Sequence, residues 1–206
     1  TLTFVWDPAP EKRLENCKAL VELELRGRRF RTIAGDEAWD FDAPRYSPDG
    51  TRIAFAAANL GRKHTMPTHA ALLTRGKGWQ VLTDAWDQSI DTPLRWSPDG
   101  RSLYFGSEDR GRCHLYRWSL EERSARIAVA GGWLHAFDVC GDVVASVADA
   151  LSHPSRVHAH HGSAAPRRLE RFNDDRLDRH AIGRHEEVVV RGAGGDPVQM
   201  WLVYPP

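Results

Sequence analysis

Histidines crowd one stretch of this chain: His153, His158, His160 and His161. Imidazole binds Zn²⁺ or Ni²⁺, and His158 and His160, two positions apart, share a face if the segment is a strand. A protein metal site needs three or four ligands, and no Cys or carboxylate joins this pair at short spacing. The pair therefore reads as an exposed outer-strand face, with no metal. His64 and His69 flank Met66-Pro67 and read as exposed loop residues. The acidic pairs Glu108-Asp109 and Glu121-Glu122 have the chemistry to hold a peptide's amino group, but their turn-like surroundings favour solvated turns. Ser155 and Ser163 stand near histidines in the chain, yet a nucleophile and its base are defined by geometry rather than by chain proximity. Gly162-Ser163 runs into Ala164-Ala165-Pro166, so the GxSxG elbow of a serine hydrolase is missing. The run Gly192–Gly195 lacks the strand-to-helix setting and the Lys-Ser/Thr of a phosphate loop, and is expected to be a flexible hairpin turn. No catalytic residue, metal ligand or cofactor is assigned to the chain from these patterns, and its binding residues are left open.

The elements around these residues are set by a repeated segment. Arg45-Tyr46-Ser47-Pro48-Asp49-Gly50-Thr51-Arg52-Ile53-Ala54-Phe55 returns as Arg95-Trp96-Ser97-Pro98-Asp99-Gly100-Arg101-Ser102-Leu103-Tyr104-Phe105. Pro at the second turn position presets φ, Gly at the fourth permits a left-handed exit, and Asp between them can bond local amides. That turn role accounts for Asp49 and Asp99, which are not assigned as catalytic acids. The alternation Ile53/Phe55 and Leu103/Phe105 predicts half-buried strands. A hairpin recurring at such a period, with frequent Pro and Gly and 8 Trp to fill wedge-shaped cores, predicts an all-β array of four-stranded antiparallel propeller blades.

Chain order gives the expected units. Residues 1–42 are the outer strands of a preceding blade, 43–83 a first blade, 84–130 a second and 131–172 a degenerate blade that has lost Ser-Pro. Within 1–42, Ala19–Leu25 and Phe30–Ile33 are strands joined around Gly27, with a helix as the alternative for the first. The link Gly106–Gly111 joins the second and third strands of the second blade. Residues 173–206 are an exit segment, in which Glu187–Arg191 and Val198–Tyr204 form a different hairpin. Three blades and flanking strands are few for a closed propeller, so the chain is expected to be part of something larger or covered by another chain.

Composition narrows the partners. With 28 basic and 28 acidic side chains, no net field draws the chain to nucleic acid or an anionic membrane. No apolar run approaches the roughly 20 residues of a membrane span. Cys17, Cys113 and Cys140 form no CxxC pair and read as free thiols, which favours a reducing, cytoplasmic setting. The chain begins at Thr1, so a removed leader and a periplasmic location stay open.

The two hairpins resemble blades of the propeller in the prolyl oligopeptidase family of serine peptidases, and also those of the periplasmic Tol-system translocation protein. The ending distinguishes these. Glu186-Glu187-Val188-Val189-Val190-Arg191, a Gly-rich turn with Asp196, and Val198-Gln199-Met200-Trp201-Leu202-Val203-Tyr204-Pro205 resemble the passage from propeller to α/β-hydrolase domain in those peptidases. His153-Pro154-Ser155 and Leu169-Glu170-Arg171-Phe172-Asn173 resemble the family's last blade. Met66-Pro67 leans towards the acylaminoacyl-peptidase branch, beside the dipeptidyl-peptidase-like one. The resemblance implies a substrate-gating propeller serving a catalytic α/β-hydrolase domain or chain that cleaves short peptides, with a homo-oligomer possible. The Ser nucleophile and its partners would lie outside this chain. A non-enzymatic protein-binding module of the Tol type is the alternative.

Overall fold

A computed structural model of the chain describes residues 1–9, 11, 15–62 and 66–206; His64 lies outside them. Two compact units are present: Thr1–Glu108 with Leu115–Ala128, and Asp109–His114 with Val129–Pro206. Nearly all ordered elements are strands, and the architecture is a run of propeller blades.

The first unit opens with a three-stranded sheet, β1 (Leu2–Trp6), β2 (Ala19–Glu24) and β3 (Arg29–Ala34), in that order. β2 is a strand, so the helical alternative for Ala19–Leu25 falls. A four-stranded antiparallel blade follows, β4 (Trp39–Tyr46), β5 (Arg52–Asn59), β6 (His69–Thr74) and β7 (Gly78–Val81). The next blade is β8 (Ile90–Trp96), β9 (Ser102–Asp109), β10 (Arg112–Ser119) and β11 (Ser124–Val129). The β9–β10 link is tighter than the six residues expected, because β9 runs on to Asp109. Only Arg110 and Gly111 remain, both at positive φ (51° and 69°), the twist that suits a two-residue hairpin turn.

The two Ser-Pro-Asp-Gly segments are turns in different sheets, built alike. Gly50 N–H donates to Ser47 O at 2.8 Å and Gly100 N–H to Ser97 O at 2.9 Å. The Ser47 hydroxyl donates to Asp49 at 2.5 Å while accepting from the Arg52 amide at 3.0 Å. Ser97 does the same with Asp99 at 2.6 Å and the Ser102 amide at 2.8 Å. The Ser47 hydroxyl, with the Thr51 amide and hydroxyl, lowers the Asp49 carboxyl to about 2. Gly50 and Gly100 sit at φ of 70° and 67°, where a Cβ is disfavoured. Arg52 links the repeats: its guanidinium donates to Gly100 O at 2.7 Å and stacks 5.0 Å from the Trp96 ring.

Strand alternation then divides the core. Ile53, Phe55 and Ala57 of β5 face the first sheet, packed with Leu20, Phe41 and Trp79. Ala54 and Ala56 face the following blade, packed with Leu94, Leu103, Phe105 and Tyr116. β5 is thus buried from Ile53 to Ala57 rather than half-buried as the alternation predicts, because sheets cover both of its faces. Small Ala on one face and large Ile and Phe on the other suit a wedge-shaped gap. The rings of Phe41, Phe55 and Trp79 meet edge to face at 4.9–6.0 Å. His69, expected in an exposed loop, is the buried first residue of β6, with Nδ1 3.0 Å from Thr83 O.

The first sheet also buries a charge. Glu22 is only 5% exposed, sharing the inner face with Leu20. It accepts hydrogen bonds from the Tyr46 hydroxyl at 2.7 Å and Arg31 at 2.7 Å, and pairs closely with Arg75. Burial alone would raise its pKa, but the bonds from Tyr46, Arg75 and Arg31 outweigh that and lower it to about 2.

In the second unit, β12 (Trp133–Cys140), β13 (Val143–Ala150), β14 (His153–His161) and the two-residue β15 (Arg167–Arg168) form the degenerate blade. A parallel bridge pairs Trp133 with Cys113 at the start of β10. A one-turn helix, α1 (Asp174–Leu177), which the charge-rich sequence does not announce, leads to the hairpin β16 (His185–Arg191) and β17 (Pro197–Val203).

Candidate functional site

The exit hairpin β16–β17 has two chemically distinct faces, as a strand period of two dictates. Its register pairs Glu187 with Trp201 and Val189 with Gln199, which puts these four on one face together with His185 and Val203. Glu186, Val188, Val190, Val198, Met200 and Leu202 occupy the other.

The first face is clasped to the β9–β10 turn. Arg112 donates to Glu187 at 2.7 Å, and its guanidinium lies 4.4 Å from the Trp201 ring centroid. The Gln199 amide donates to Arg110 O at 2.7 Å and to Glu187 at 3.1 Å. Arg112 and Glu187 are each about a quarter exposed, so water screens the pair less than a surface one. The Arg112 hydrogen bond holds the Glu187 carboxyl below its ordinary range. Gly111 is required here: a Cβ would come within 2.9 Å of Trp201 Nε1, and its φ is already 69°.

Beside the clasp lies a cavity of about 810 Å³, confined to the second unit. Trp133, Leu151, Pro154, Ile182 and Val203 supply apolar wall, and Arg112, Asp149, His153 and His185 supply polar groups. Asp149 is engaged by His135, Nε2 to Oδ2 2.6 Å. The volume falls within the range of small-molecule sites. Among the described residues no Ser, Thr or Cys lines it, so the arrangement can bind or position a ligand but offers no hydroxyl or thiol nucleophile.

The described residues weighed from sequence lie apart from this cavity, with one exception. His153 lines it. His158 and His160 face each other on β14 at 6.2 Å between rings, and His160 Nε2 meets Ser146 Oγ at 2.8 Å. Burial lowers the pKa of both. Among the described residues no three His, Cys, Asp or Glu side chains come together. Glu122 accepts from Ser124 and Arg126 in an exposed turn, and Ser155 and Ser163 are exposed. Gly192–Gly195 closes the β16–β17 hairpin, with Gly192 N–H donating to Asp196 O at 2.8 Å. The clasp residues Arg112, Glu187 and Trp201 carry no local motif; the Gly after Arg110 at a hairpin turn was the one available signal.

Fold and hairpin together define a stretch of propeller blades running into a further β-element. No protein-family model matches the chain. By sequence it is similar to dipeptidyl-peptidase 5 of Trichophyton schoenleinii, 32% identical over 83 residues, 39% of this chain and 11% of that protein. It is also similar to the uncharacterized peptidase YuxL of Bacillus subtilis, 33% identical over 84 residues, 40% of this chain and 13% of that one. The matched stretch is thus about a tenth of these curated relatives' length. By structure it resembles the acylaminoacyl peptidase of Pyrococcus horikoshii, with a TM-score of 0.73 and 13% identity, covering 100% of this chain and 33% of that one. The β-propeller domain of the Trilobed protease from Pyrococcus furiosus gives 0.61 and 16%, covering 84% and 56%. TolB from Acinetobacter baumannii gives 0.61 and 18%, covering 91% and 46%. The chain has the fold of a stretch of β-propeller blades, similar to that of the propellers in these peptidases.

Proposed function

We propose that this chain is the substrate-gating propeller part of a serine peptidase that hydrolyses short peptides, acylaminoacyl- or dipeptidyl-peptidase-like, with catalysis supplied by an α/β-hydrolase domain outside it. The observation that carries the reading is the two-faced exit hairpin. One face is fixed to the β9–β10 turn by Arg112, Glu187 and Trp201. The other presents Val190, Val198, Met200 and Leu202, each 36–44% exposed, as a strip for a further layer of structure. A sheet begun at β16–β17 and covered by helices would join the blades rigidly to a hydrolase core. In this reading residues 43–83, 84–130 and 131–172 act as blades, and 173–206 as the joint.

The mechanism is selection by size. Blades laid over a catalytic face admit an extended peptide and reject a folded protein. The chemistry behind them is acyl transfer, in which a Ser hydroxyl attacks the peptide carbonyl, a His takes its proton, and an oxyanion hole holds the developing charge.

The test is made on the whole gene product. Its reading frame beyond Pro206 is determined, and the full-length protein is assayed with blocked di- and tripeptides, a long unstructured peptide and a folded protein of the same composition. Cleavage of the short peptides alone, abolished by a serine-directed phosphonate, is expected. A product that ends without a hydrolase domain and binds a protein partner, as the likeness to TolB allows, would refute the proposal.

A further inference from the structure

Arg26, Arg28, Arg29 and Arg31 fall within six residues of a chain whose net charge is zero. Arg26 and Arg28 precede β3 and Arg29 and Arg31 lie within it; β3 pairs with β2 on one side and, among the described residues, with no strand on the other. An open edge offers N–H and C=O groups that another extended segment can complete. Register sets Arg31 opposite Glu22 and Arg29 opposite Glu24, so both arginines lie on the face shared with the buried Glu22. Phe30 lies on the opposite face, 63% exposed. Arg75, from the β6–β7 turn, reaches the same Glu22 carboxylate as Arg31, and Lys77 follows it. A cleft of about 330 Å³ lies there, lined by Arg31, Thr32, Thr74 and Arg75. Tertiary structure thus brings Arg75 beside Arg31 at the Glu22 carboxylate, next to Arg29 paired with Glu24.

We propose that the outer edge of β3 receives an extended peptide of alternating acidic and apolar side chains as an added strand. Alternate side chains on a strand stand about 7 Å apart, which is also the spacing of Arg29 and Arg31 along β3. The acidic side chains of the added strand then meet these arginines and the cleft, while its apolar side chains lie beside Phe30. The same arginines repel a second copy of β3, so the edge is closed to self-association and open to an acidic partner.

The test uses a labelled, end-blocked hexapeptide of alternating glutamate and valine, titrated with the chain and followed by fluorescence anisotropy. Saturable binding is expected, weakening roughly tenfold from low to high salt as screening sets in. Arg29→Glu, at an exposed position paired only with exposed Glu24, is expected to weaken it at least about tenfold without unfolding the chain. A peptide N-methylated at alternate residues keeps every charge but cannot pair with the edge, and is expected not to bind. Failure of the unmodified peptide to bind would overturn the proposal. So would equal binding of the methylated peptide, or displacement by pyrophosphate at matching concentration, since either would mark a plain anion patch.

Discussion

Replacing Glu22 by Gln tests whether a buried carboxylate holds the first sheet to the first blade. Glu22 is 5% exposed and lowered to about 2, from an ordinary 4.5. Protonating it in the folded state therefore costs about 3 kcal/mol more than in the unfolded chain, at 1.36 kcal/mol per pKa unit. Gln is close to the protonated acid in shape and charge, so the wild-type advantage over Glu22→Gln should shrink by about that amount on acidification. The sign follows from a depressed carboxyl: the stabilisation is present above pH 4.5 and is lost as pH falls towards 2. Removing one partner of a buried ion pair can cost about 3–5 kcal/mol, but here the lower end applies. Arg31 and Arg75 are 67% and 45% exposed, and water takes up part of their lost partner. Tyr46 adds an alkaline arm. Burial and its hydrogen bond to Glu22 raise its pKa to about 12, so its contribution is present below pH 10 and lost as pH rises through 12. The assay is urea unfolding of both proteins from pH 2 to pH 7, followed by tryptophan fluorescence, since Trp39 and Trp79 lie in this core. A wild-type advantage that stays constant from pH 7 to pH 2 would refute the reasoning, because the charge on Glu22 would then contribute nothing.

Two further predictions concern the clasp and the turns. Arg112→Ala removes both the Glu187 ion pair and the stacking on Trp201, and is expected to lower protection of the β16–β17 amides in hydrogen exchange by about 1–3 kcal/mol, with the β4–β7 amides unchanged. Ser97→Ala leaves the Ser102 amide and the Asp99 carboxylate without their shared hydroxyl, and should cost about 1–2 kcal/mol in urea unfolding.

The blades were legible because their signals are local. Pro48, Asp49 and Gly50 determine a turn within four residues, and so do Pro98, Asp99 and Gly100, whatever the rest of the chain does. Val188 to Arg191 and Val198 to Val203 announce a hairpin across a Gly-rich turn in the same way. What the sequence could not give was which faces would be covered and which charges would meet. Glu22 looks like the polar member of an alternating strand, and is buried because Arg75, 53 positions away, arrives beside it. His69 is buried beside Thr83 and Trp39 rather than exposed beside Met66-Pro67. Arg112 and Glu187 stand 75 positions apart and meet only through the clasp. Turn chemistry is set by neighbours along the chain. Burial and ion pairing are set by neighbours in space, and a strand period of two names the faces without saying what lies against them.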